Sequence, residues 1–103
     1  MDSLRQQLIE SIRELSSLLV VTFDEEQEEA IQEHLDQLNK LLDEIVQKPP
    51  DSESEVFGAA IEALKSATGK VREAREDIDR VADAIGYMAS AAKAVAKVIK
   101  ASA

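Results

Sequence analysis

Residues 57–99 read FGAAIEALKSATGKVREAREDIDRVADAIGYMASAAKAVAKVI. Within them Phe57, Ala60, Leu64, Ala67, Val71, Ala74, Ile78, Val81, Ile85, Met88, Ala92, Val95 and Ile99 recur at alternating steps of three and four without a phase error. That period keeps one apolar seam on one side of a helix, and six heptads of it are the signature of a coiled coil. The seam interleaves large residues with Ala60, Ala67 and Ala74, which permits close helix approach. Gly69 and Gly86 each cost about 1 kcal/mol relative to Ala inside a helix. Both lie off the seam, and the phase is the same on either side of each. The spacing therefore predicts one long helix over about residues 52–101, with Gly69 as its weakest point, near which it could bend or break.

Outward from this element, Pro49 and Pro50 form a linker, because proline removes a backbone donor and restricts the residue before it. Ser52 followed by Glu55 makes a capping box for the long helix. Upstream, Ile31, Leu35, Leu38, Leu42 and Ile45 mark an amphipathic helix over about residues 24–48, and Leu4, Leu8, Ile12, Leu15 and Leu19 mark another over about residues 3–21. Ser3 with Gln6 and Thr22 with Glu25 supply their capping boxes. The two or three residues around Thr22 leave room only for a tight turn, so these helices are expected to form an antiparallel hairpin. The fold expected is a single all-α domain, a hairpin plus a long rod. At ~1.5 Å per residue the rod would reach roughly 70 Å and the hairpin roughly 30 Å, so the hairpin would leave part of the rod uncovered.

Composition agrees. The chain has 103 residues, 45% apolar and 32% charged, with no Cys or Trp. About half are Ala, Glu, Lys, Leu or Arg, the mixture of long helices. Thiolate metal clusters, disulfides and cysteine catalysis are excluded for want of the residue. The net charge of −9 is unevenly placed: residues 1–55 carry 15 acidic and 4 basic side chains, and residues 56–103 carry 6 and 8. The halves should attract each other, while bare nucleic acid should be repelled.

No catalytic constellation emerges. His34 is the single histidine, and the positions three and four residues away are Ala30, Ile31, Gln37 and Leu38, so no second metal ligand shares its helix face. Gly69-Lys70 lacks the glycines and hydroxyl of a phosphate loop. No serine sits in a Gly-flanked turn. No enzyme activity, cofactor, metal or small-molecule substrate is expected.

Three surfaces remain. The seam residues Val71, Ala74, Ile78, Val81, Ile85, Met88, Ala92, Val95 and Ile99, flanked by Ala82, Ala84, Ala89, Ala91, Ala96 and Val98, form an apolar face broad enough for more than one neighbour. Left uncovered, such a face marks an interaction site, so self-association as a two-fold dimer is expected. Ile78→Asp would then bury a charge and dissociate or unfold the assembly. The acidic group Asp24, Glu25, Glu28, Glu29 and Glu33 suits a helix start, where the dipole is positive, and also a basic partner. Lys93, Lys97 and Lys100 share one side of the last turns and suit either the dipole at a helix end or lipid phosphates. The function expected is a non-catalytic helical oligomerisation and protein–protein interaction module of the adaptor, small-regulator or inhibitor kind. A membrane-active bundle and an acidic neutraliser of a basic protein are the alternatives. No stretch approaches the ~20 apolar residues of a membrane span or resembles a secretory signal, and a cytoplasmic address is expected.

Overall fold

The computed structural model describes residues 4–50 and 55–101. It is all-α. Helix α1 spans Leu4–Val21, α2 Glu25–Gln47, α3 Glu55–Glu76 and α4 Val81–Ala101, with a short 3-10 turn at Ile78–Arg80 between the last two. The molecule measures 39 × 19 × 19 Å, little more than half the expected rod.

The hairpin of α1 and α2 forms as its spacing implies, but Thr22 does not cap α2. Its hydroxyl donates back to the Leu18 carbonyl at 2.7 Å, closing the end of α1, and Thr22 is buried. Asp24 is the N-cap instead, its carboxylate accepting from the Gln27 N–H at 3.0 Å. An aspartate closer to the first turn, carrying a full charge, outcompetes a threonine whose hydroxyl is engaged elsewhere. Ser3 and residues 51–54, including the Ser52 cap, lie outside the described residues.

The long helix is corrected: it is two helices. The break falls at Asp77, eight residues beyond Gly69, and both Gly69 and Gly86 sit inside helices without positive φ. Asp77 is extended, at φ −138° and ψ 104°, and its carboxylate accepts from the Asp79 N–H at 3.1 Å. Aspartate disfavours helix interiors because its short side chain captures nearby backbone donors in this way. Arg80 secures the corner, donating to the Asp77 and Glu73 carboxylates at 3.4 and 3.3 Å. The corner omits one seam position. Ala74 and Val81, one heptad apart, are both buried, while Ile78 between them is 56% exposed. The repeat runs through the reversal unbroken in sequence, and for that reason periodicity alone cannot reveal it.

Folding back brings α4 against both α3 and α2, and α1 against both α2 and α3. Among the described residues α2 and α3 do not approach each other, nor do α1 and α4, so these pairs occupy the diagonals of the bundle. Helices α1 and α3 run parallel: Ser11 meets Thr68, Glu10 meets Arg72, and Glu14 meets Arg75. Both tight turns therefore lie at one end. The core holds Leu8, Leu15, Leu18, Ile31, Leu38, Leu64, Met88 and Val95, each at 0% exposure. Each large apolar side chain removed from water in this way contributes about 2 kcal/mol before the entropy of ordering is subtracted. Ala60, Ala67, Ala74, Ala84, Ala91 and Ala92 are buried as well, and small residues of this kind let helices pack at the short end of the usual 8–10 Å range.

Ion pairs join α1 to α3. Arg72 binds Glu10 at 2.9 Å and Glu14 at 3.4 Å, and Arg75 binds Glu14.

Candidate functional site

The seam expected to join two copies is enclosed within one. Val71, Ala74, Val81, Met88, Ala92 and Val95 are buried, and Ile85 and Ile99 are half-buried against the same core. The reason is the reversal at Asp77, which turns the two halves of the seam toward each other. The broad face of α4 does touch more than one neighbour, but both neighbours belong to its own chain. Its buried residues are Val81, Ala84, Met88, Ala91, Ala92, Val95 and Val98, a face rotated from the seam so that the flanking Ala84 and Ala91 point inward.

The acidic residues Glu25, Glu29 and Glu33 are exposed, Glu28 is half-buried, and Asp24 is engaged as the cap of α2. Lys93, Lys97 and Lys100 are exposed along α4, while the apolar face behind them is closed against α2 and α3. Among the described residues no helix is long and apolar enough to cross a membrane. His34 is half-buried on α2, with Ile31 and Leu35 beside it in the core.

The structure instead exposes a surface at the turn end. Phe23 is 82% exposed, Val20 79%, Ile78 56% and Val21 44%. Val20 and Val21 close α1, Phe23 follows in the turn to α2, and Ile78 stands in the α3–α4 corner at the same end of the bundle. Phe23 precedes the N-cap, where an apolar residue normally staples onto the fourth helical position. That position is Glu28, which gives the ring nothing to pack on. The signal was present in the sequence as VVTFD, an apolar cluster off the α1 stripe beside a turn. It escapes a search for periodicity because turn residues have none.

No family model, curated protein or solved structure matches this chain.

The end carrying Phe23 is also strongly acidic. Asp24, Glu25, Glu26, Glu28 and Glu29 open α2, and Glu73, Glu76, Asp77, Asp79 and Asp83 surround the α3–α4 corner. The nearby cations are already engaged, Arg75 with Glu14 and Arg80 with Glu73 and Asp77. Among the described residues, Glu25, Glu26, Glu29, Glu76, Asp79 and Asp83 form no ion pair. Exposed apolar side chains and carboxylates thus share this end of the bundle.

Proposed function

We propose that the chain is a non-catalytic helical interaction module, which binds another protein through the end of the bundle that carries its two tight turns. The carrying observation is the 82% exposure of Phe23 in the turn between α1 and α2. A large ring held almost wholly in water by a turn anchored on both sides contributes nothing to the core. Large aromatic anchors of this kind dominate the energetics of protein interfaces. The role suits an adaptor, small regulator or inhibitor, for which a rigid scaffold presenting one short surface is sufficient.

The reading is tested by placing a photo-reactive phenylalanine analogue at position 23, and separately at position 78 and at exposed Lys93 near the other end. Illumination in the cells that make the protein should give a discrete adduct from positions 23 and 78 and none of that mass from position 93. Adducts that are absent, or indistinguishable at all three positions, would overturn it.

A further inference from the structure

The corner between α3 and α4 is held by little. From Glu55 to Ala101 the backbone leaves helical turns at Asp77 alone. The 3-10 turn Ile78–Arg80 differs from an α-helix by a small change of ψ, and Val81 is already helical at φ −60° and ψ −43°. Between Glu73 and Val81 there is no Gly or Pro to demand a bend. The bonds that fix the corner, from the Asp79 N–H and Arg80 to the Asp77 and Glu73 carboxylates, lie at exposed residues, where water competes. Straightening would pair the carbonyls left open at the end of α3 with the N–H groups left open at the start of α4. It would also return Ile78, 56% exposed in the corner, to the seam between buried Ala74 and Val81.

A straight rod from Glu55 to Ala101 would span roughly 70 Å, far beyond the 39 Å length of the bundle, so α4 could no longer cover its own α2 and α3. The apolar face of α4, with Val81, Met88 and Val95 each at 1% exposure or less, and the groove that it fills would both be open. A second copy supplies the surface that fits each without new packing. The seam is matched as well: about Ile78, Val71 and Ile85 stand seven residues to either side, and Leu64 and Ala92 fourteen. Two rods crossing antiparallel at Ile78 therefore keep their seams in register. We infer that the chain exchanges α4 with a second copy: α3 and α4 straighten into one rod, two rods cross at Ile78, and each α4 packs against α2 and α3 of the other copy. Such an exchange keeps the contacts of α4 with α2 and α3 and changes only the hinge. Opposing it are Glu76, Asp79 and Asp83, which two copies bring together at the crossing, so salt favours the exchanged form. The exchange does not depend on binding through Phe23.

The test uses the full chain. It contains no Cys, so Ala59→Cys and Lys97→Cys, both at exposed positions, place two spin labels near one end of the bundle, on α3 and α4. In the closed bundle the labels lie within roughly 25 Å, since packed helices stand 8–10 Å apart before the label arms are added. On a straight rod they lie about 57 Å apart. Doubly labelled chain is unfolded in urea with an excess of unlabelled chain, refolded at high protein concentration in ~1 M salt, and separated by size. Pulsed electron paramagnetic resonance then reads the distance within one chain in each fraction. A monomer with the short distance and a dimer with the long one are expected. Asp77→Ala combined with Asp79→Ala removes the carboxylate that caps the corner and favours helix, and should strengthen dimerisation about tenfold or more, while Ile78→Asp should weaken it about tenfold or more. All three positions are exposed, so the closed bundle is not at stake. No dimer of the unchanged chain, a dimer in which the labels stay close, or one insensitive to these substitutions would overturn the inference.

Discussion

Ser11 of α1 and Thr68 of α3 meet hydroxyl to hydroxyl at 2.8 Å, shielded from solvent on both sides, with exposures of 0% and 3%. Thr68 uses its own proton on the Leu64 carbonyl at 2.7 Å, which leaves Ser11 as the donor between the two helices. It fixes the level at which α1 and α3 run side by side, and so brings both turns to the same end.

This pair should behave as a unit. Ser11→Ala removes one net hydrogen bond and should cost about 1 kcal/mol, while Thr68→Val leaves the Ser11 hydroxyl buried without its acceptor and should cost about 1–3 kcal/mol. The double variant should lose less than the sum of the two, measured by urea unfolding. Simple additivity would mean that the hydroxyls do not interact.

The corner at Asp77 separates two otherwise similar aliphatic positions. Ile78→Asp should cost no more than about 0.5 kcal/mol, as a substitution at an exposed site. Val81→Asp, only three residues on but at 1% exposure, should cost several kcal/mol and unfold much of the population. Thermal unfolding followed by circular dichroism reads both. Severe destabilisation by Ile78→Asp would restore the continuous seam and contradict the bundle.

Glu14 serves two arginines and is 19% exposed, whereas Arg72 and Arg75 are about half exposed. Solvent screening limits each pair, so Arg75→Gln should cost about 0.5 kcal/mol and Glu14→Gln about 1 kcal/mol. Both losses should shrink in 1 M salt, where the screening length falls to ~3 Å. A Glu14→Gln penalty that is the same at low and high salt would point to packing rather than charge.

Gly69 and Gly86 stand in helices with open space where a Cβ would be placed. Replacing either with Ala should stabilise the fold by about 0.5–1 kcal/mol, through a smaller loss of backbone freedom on folding. A rise in the urea midpoint with an unchanged slope is the expected result. A fall would reveal a close approach at that position.

The periodicity of the apolar residues was sufficient to establish an all-helical chain, the extents of α1 and α2, the stop at Pro49-Pro50 and most of the side chains that line the core, because helix geometry converts a repeat in sequence directly into a face. The unequal charge of the two halves did not foretell the ion pairs that join α1 to α3, since the acidic excess lies in residues 24–55 and not in α1. The reversal at Asp77 was not legible, since a corner that omits one heptad position leaves the repeat intact on either side. Whether Asp77 continues a helix or ends it depends on what α3 and α4 gain by facing each other. That gain comes from Ala67, Ala74, Ala84 and Ala91 closing against neighbours far away in the chain. The exposure of Phe23 was not legible either: it stands in a turn, outside any repeat, and only the folded chain decides whether a ring there is covered.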